Sequence, residues 1–192
     1  APSGEEPSPA EVLVSLGAAA VTESHGRVPV LLESGGGVNA VSFSVRYDQT
    51  QLSYTGAEPG PEVQDAGALL IVNDTLAPQG RLGLMVAMPA GGALPGGMRK
   101  IADLAFSPVV PGQASAVDLL FAEAPVSCCS VDAETIRLSS EFVAGAVTVG
   151  PDDDGDGLPD QVEEALGSNP LSADSDGDGV PDGLEVRTGT NP

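Results

Sequence analysis

The strongest constraint on this chain is an acidic motif written twice near its C-terminus. DDDGDGLPDQVEEALGSNP begins at Asp152 and DSDGDGVPDGLEVRTGTNP at Asp174, a period of 22 residues. Asp152, Asp154, Asp156, Asp160 and Glu163 stand at positions 1, 3, 5, 9 and 12 of a twelve-residue loop, and Asp174, Asp176, Asp178, Asp182 and Glu185 repeat the arrangement. A hard cation of calcium's size takes about six to eight oxygen ligands, and a tightly wound loop aims alternate carboxylates at one centre when a glycine at the sixth position lets the backbone turn. Gly157 and Gly179 occupy that position. Without a cation the clustered carboxylates repel one another. A solvated acidic linker would need neither the glycine nor the terminal glutamate.

This pattern predicts two Ca2+ ions. Asp152, Asp154 and Asp156 supply side-chain oxygens, Leu158 its backbone carbonyl, Asp160 a direct or water-mediated contact, and Glu163 a bidentate carboxylate. In the second repeat Asp174, Asp176, Asp178, Val180, Asp182 and Glu185 take the same roles.

Charge excludes several partner classes. Lys and Arg total 7 against 28 Asp and Glu, a net charge of -21. Nucleic acid and anionic membrane surfaces call for basic patches, so neither is an expected partner. Residues 151–192 hold 12 acids and one Arg, a net of -11, while residues 1–150 hold 16 acids and 6 bases, a net of -10. No run of eighteen apolar residues is present to span a bilayer. Low lysine content, abundant Gly, Pro, Ser and Thr, and structural calcium all fit an exported protein.

The chain divides into three parts. Residues 1–10, APSGEEPSPA, lack apolar periodicity and read as a flexible or partner-docked arm. Residues 11–149 read as strand after strand. Val12, Val14 and Leu16 alternate, Val28, Val30 and Leu32 follow, and Val41, Phe43, Val45 and Tyr47 face one way while Ser42, Ser44 and Arg46 face the other. Further runs lie at Leu52–Thr55, Leu69–Val72, Leu82–Met88, Ile101–Phe106, Val117–Phe121, Ile136–Leu138 and Val143–Val149. About nine short strands separated by Gly, Pro, Asn and Asp predict a mainly β fold, an antiparallel jelly-roll sandwich. Helix signals are almost absent before residue 158, and residues 150–192 form a small calcium-loop tail with short helical turns.

Catalysis has little to work with. His25 is the only histidine and sits in a Ser-His-Gly turn, a surface position rather than that of a general base. There is no Gly-x-Ser-x-Gly elbow and no phosphate-cradling glycine loop. Sugar platforms stack ligands on exposed aromatic rings, but Trp is absent and only Tyr47 and Tyr54 carry polar-tipped rings. A carbohydrate-binding module is therefore a secondary reading. Cys128 and Cys129 are adjacent, with α carbons about 3.8 Å apart, closer than an ordinary disulfide prefers. A strained vicinal disulfide, bonds to other chains and free thiols are all open to them, with the vicinal bond favoured in an exported protein.

The stretch GRVPVLLESGGGVNAVSFSVRYDQTQLSYTGAEPG, the later strands RLGLMVAM and KIADLAFSPV, and the closing GAVTVG resemble a cohesin domain over about residues 11–149. Cohesins are jelly rolls that capture dockerins in bacterial extracellular assemblies. The resemblance implies a protein-binding sheet mapping here to Val117–Phe121, Val38–Tyr47, Arg81–Met88 and Ala68–Asn73, with Ser42, Ser44 and Arg46 toward the partner. The acidic repeats resemble both dockerins and bacterial thrombospondin type 3 repeats. Pro159 and Pro181 at the eighth loop position remove the N–H that EF-hand loops use to pair, and the following segments are too short for dockerin helices. The thrombospondin type 3 pattern, in which calcium replaces a hydrophobic core, fits better.

Together these features predict an extracellular, non-enzymatic structural or adhesion module whose partner is a protein. Other copies of itself are one candidate, joined head to tail into filaments. The alternative is a monomeric calcium-stiffened spacer of a larger surface protein.

Overall fold

A computed structural model describes residues 12–17, 19–22 and 26–192. The arm over residues 1–10 and the turn histidine His25 lie outside the described residues. Among the described residues thirteen strands build the fold: β1 Val12–Leu16, β2 Ala19–Val21, β3 Gly26–Ser34, β4 Ala40–Arg46, β5 Leu52–Pro59, β6 Leu69–Asn73, β7 Arg81–Ala87, β8 Gly97–Pro108, β9 Ser115–Ala122, β10 Cys129–Val131, β11 Arg137–Leu138, β12 Ser140–Val143 and β13 Gly145–Val149. Helix α1 spans Pro61–Asp65, and α2 (Asp160–Leu166) and α3 (Asp182–Thr188) belong to the tail.

Alternating residues build the core, as a two-residue side-chain period requires. Val28, Val30 and Leu32 of β3 and Phe43 and Val45 of β4 are fully buried. Phe106 is central: Tyr47 and Tyr54 meet its ring edge-on at 5.0 and 6.0 Å. Tyr47 also donates its hydroxyl to the Ala77 carbonyl at 2.8 Å. Both tyrosines thus serve packing.

One face of the sandwich is the antiparallel series β6–β7–β4–β9, the sheet expected from the sequence. The other contains β12, β1, β3, β8 and β5. Strand β9 pairs with β4 through Leu120–Ala122 and with β13 through Ser115–Leu119, so it bridges the two and nearly closes the sandwich.

The excess over nine strands has a physical origin. The Val143–Val149 run does not continue as one strand. Val143 ends β12, which pairs in parallel with β1, and past Ala144 the run continues as β13, whose Val147–Val149 pair in parallel with β2, so both chain ends step sideways together. At the step, a Cβ on Gly145 would sit 2.6 Å from the Leu16 carbonyl oxygen, which leaves room only for glycine. Helix α1, opened by Pro61, was not signalled by periodicity; its single turn is anchored by the buried Val63.

A second departure concerns β4. Its edge away from β7 is shared, Ser44–Arg46 with β9 and Ala40–Ser42 with β10. Between those strands residues 123–128 leave the sheet, and Pro125, Val126 and Ser127 lie across its outer face. A Cβ on Gly83 of β7 would meet Val126 Cγ2 at 2.6 Å and Pro125 Cγ at 2.9 Å, so the segment rests directly on β7. Ser44 Oγ donates to the Val126 carbonyl at 2.6 Å and accepts from the Val126 N–H at 2.7 Å, while Ser42 Oγ donates to the Ser127 carbonyl at 2.9 Å. Ser42 is 6% exposed and Ser44 is 0% exposed, so neither reaches a partner. The expectation for these two serines is corrected: they satisfy the backbone of the chain's own strap. Only Arg46 of the three is exposed.

Removing the Ser44 hydroxyl leaves the Val126 N–H and carbonyl without that buried partner, which costs about 1–3 kcal/mol. Ser44→Ala should therefore lower stability by that amount in chemical denaturation and speed amide exchange at Val126. Unchanged exchange there would show that the strap is held by packing alone.

The vicinal disulfide is also corrected, since both cysteines are free. Cys129 Sγ lies 3.1 Å from Ser42 Oγ, whereas Cys128 Sγ donates to the Ala122 carbonyl at 3.3 Å. Cys129 opens β10, where consecutive side chains point to opposite faces, and this turns the two sulfurs apart.

Candidate functional site

Each acidic loop is wound by its own aspartates. Asp152 Oδ1 accepts from the Gly155 N–H at 2.9 Å and its Oδ2 from the Gly157 N–H at 3.2 Å. Asp154 Oδ1 accepts from the Asp156 N–H, and Asp156 Oδ1 from the Leu158 N–H at 2.8 Å. Asp174, Asp176 and Asp178 reproduce these bonds to Gly177, Gly179, Asp178 and Val180. The glycines the motif demands have positive φ, +77° at Gly155 and Gly177 and +95° at Gly157 and Gly179, where a side chain would be strained.

Winding converges the carboxylates. Asp152, Asp154 and Asp156 each place an oxygen within 4.8 Å of the others, and Asp174, Asp176 and Asp178 do the same. The glutamates arrive from the helices. Pro159 and Pro181, in extended conformation, precede α2 and α3 and accept from the N–H groups of Glu163 and Glu185. Gly167 and Gly189 end the helices in the left-handed conformation.

Glu163 is 0% exposed, and its two carboxylate oxygens and Asp154 Oδ2 accept no hydrogen bond from any described group. Burial, then Asp154, Asp156, Asp160 and Asp182, push its pKa up to about 7. A buried carboxylate facing other carboxylates without a donor is a costly arrangement unless a cation sits among them. The donor set, hard oxygens only, fits a calcium-sized ion. Glu185 is also buried, and its pKa is raised chiefly by that burial.

Asp160 and Asp182 do a second job that the loop pattern did not reveal. Asp160 Oδ1 accepts from the Asp153 N–H at 2.9 Å, and Asp182 holds the Ser175 N–H and hydroxyl. They brace the start of each loop against its helix.

The two sites are not equivalent. Asp156 Oδ2 accepts from the Gly183 N–H at 2.5 Å, so the second repeat folds over the first loop. A Cβ at Gly183 would lie 2.7 Å from the Asp156 carbonyl oxygen, which accounts for glycine there. One period earlier the same position is Gln161, whose Nε2 donates to the Val149 carbonyl at 3.1 Å and ties the tail to β13. Asp176 and Asp178, by contrast, are exposed.

On the jelly roll, the uncovered part of the β6–β7–β4–β9 face divides by chemistry. Leu69, Ile71 and Met85 are exposed at the β6 side. Arg46 stands directly across from Arg81, and neither forms an ion pair with a described residue.

Residues 152–173 and 174–192 match the bacterial TSP3 repeat family. The remainder is similar in fold to solved cohesins. The sixth cohesin of Acetivibrio cellulolyticus scaffoldin B, solved with a Cel5 dockerin, is 20% identical with a TM-score of 0.61, covering 72% of this chain and 98% of that one. The Clostridium thermocellum Coh-OlpC, solved with Doc435, is 15% identical at 0.61, covering 77% and 99%. A non-cellulosomal cohesin from the archaeon Archaeoglobus fulgidus is 16% identical at 0.58, covering 73% and 91%. No curated protein matches in sequence. The chain is thus a cohesin-like jelly roll followed by two bacterial TSP3 repeats. No described helix is long and apolar enough to cross a membrane.

Proposed function

We propose that this chain is an exported, non-enzymatic assembly module whose tail is ordered by two calcium ions. The observation that carries the calcium reading is Glu163, buried with no hydrogen-bond donor among Asp154, Asp156, Asp160 and Asp182. The ligand set is the one expected from the loops: Asp152, Asp154, Asp156, the Leu158 carbonyl, Asp160 and Glu163 for one ion, and Asp174, Asp176, Asp178, the Val180 carbonyl, Asp182 and Glu185 for the other. Asp160, whose Oδ1 already accepts from a loop N–H, acts through its other oxygen or a water, whereas both oxygens of Asp182 are engaged by Ser175, so it acts through a water or a remaining lone pair.

The jelly roll receives a protein. Cohesins solved with dockerins support a protein partner, and the exposed part of the β6–β7–β4–β9 face is where it docks. Arg46 beside Arg81 is a cationic spot in a chain of net charge -21. Like charges placed directly opposite are unfavourable until an anion arrives, and the acidic tail of another copy supplies one. Head-to-tail contact of this kind builds open chains.

The strap favours a second reading. Because residues 125–128 already occupy the middle of the sheet, a calcium-stiffened spacer that receives nothing there is the competitor. Calorimetric titration should give two calcium ions per chain, and sedimentation velocity should show species that grow with calcium. A profile identical in calcium and in chelator would overturn tail-mediated assembly and leave the spacer.

A further inference from the structure

Strand β6 pairs with β7 and with no other described strand, so one edge of its backbone has no strand partner among the described residues. Three other strands also have a single partner, and each carries a feature that discourages further pairing. In β5 the register slips between Tyr54 and Gly56, and the strand ends with Glu58 and Pro59. Strand β11 is 2 residues long and contains Arg137, and β12 carries Glu141. Strand β6, LLIVN, has no charge, no proline and no bulge. Residues 67–73 are free of charge in a chain that has 35 charged side chains (28 acidic plus 7 basic). Leu69 is 65% exposed and Ile71 52%, with Met85 beside Ile71 across the β6–β7 pair at 38%. An uncharged, apolar open edge of this kind is a template for another strand.

We infer that this edge pairs antiparallel with β6 of a second copy, extending the sheet across a twofold axis at Ile71. An axis perpendicular to the sheet places Ile71 opposite its counterpart, Leu70 opposite Val72, and Leu69 opposite Asn73. All five residues then pair, and the inner faces of both copies stay on the same side. Asp74 falls opposite Ala68, so no acidic side chains confront each other.

Other occupants from the same chain fit poorly. The arm over residues 1–10 has Pro2, Pro7 and Pro9, which cannot donate to a ladder. The tail has no strand among the described residues and a net charge of -11. The contact is isologous, so it closes at a dimer. It uses neither calcium nor the acidic tail, and therefore stands or falls separately from the head-to-tail reading.

The test is sedimentation of the full chain over a concentration series, in calcium and in chelator. A monomer–dimer equilibrium should persist in both. Ile71→Lys places a charge at the axis and should weaken dimerisation at least 100-fold, with the melting temperature unchanged because that side chain is half exposed. Ile71→Cys, in a background with Cys128→Ser and Cys129→Ser, should crosslink to its own counterpart under mild oxidation. A dimer indifferent to Ile71→Lys would overturn the pairing, as would a monomer at several hundred micromolar. A monomer with slowly exchanging amides over residues 69–73 would overturn it in favour of the arm.

Discussion

Glu163→Gln should bind one calcium ion fewer than the unsubstituted chain. Glutamine keeps one carbonyl oxygen but loses the charge and the second strong acceptor, so affinity at the first site should fall on the order of 100-fold or more, about 3 kcal/mol. The calcium-free form should change in the opposite sense. With the buried carboxylate gone, the repulsion from Asp154, Asp156, Asp160 and Asp182 is relieved, and the substituted tail should be more compact in chelator than the original. Protons enter the same balance. The ion binds deprotonated Glu163, whose pKa is pushed up to about 7 in its absence, so first-site affinity should weaken as pH drops through about 7. Glu185→Gln should have a milder effect, because Asp176 and Asp178 are exposed and water competes there already. Calorimetry decides the matter: an unchanged stoichiometry and affinity in Glu163→Gln would remove Glu163 from the ligand set.

Chelation should melt residues 152–192 while leaving the jelly roll intact. Among the tail's described residues only Leu158 and Pro159 are buried apolar side chains, and neither belongs to the main cluster. Helices α2 and α3 are 7 residues each, shorter than helices that persist alone in water. Backbone order in such a segment has to come from the ions that neutralise the carboxylates and tie loop to helix. The jelly roll has its own core, which includes Val147 and Val149 of β13. Hydrogen exchange in calcium and in chelator should show tail amides losing protection by orders of magnitude, with β3, β4 and β8 unaffected. A tail equally protected in chelator would mean that something other than calcium orders it.

The acidic loops were legible from sequence because their geometry is local. Spacing along one short segment decides which carboxylates converge, and the first three ligand aspartates of each loop bond to N–H groups two to five residues away, as Asp152 does to Gly155 and Gly157. The two sides of β4 were legible for a related reason, since alternation separates Phe43 and Val45 from Ser42 and Ser44, whereas its neighbours β7 and β6 followed only from the resemblance to cohesins. What alternation cannot say is what lies over the polar side. Ser44 meets Val126 across 82 residues of chain, and a short hydroxyl is equally at home in water or on a buried backbone group. The sideways step at Gly145 was hidden in the same way, because it depends on the Leu16 carbonyl of a strand at the other end of the jelly roll.

The acidic repeat alone established its own period, its two oxygen-lined loops and the need for glycine at Gly157 and Gly179, all consequences of bonds within a dozen residues. Tertiary structure decided the rest. It made the loops unequal, by setting Gly183 against Asp156 in the first and leaving Asp176 and Asp178 open in the second. It also closed the middle of the expected receptor face with the strap and left β6 as an unguarded edge. Those outcomes depend on which distant segments share space, and chain packing, rather than residue pattern, determines that.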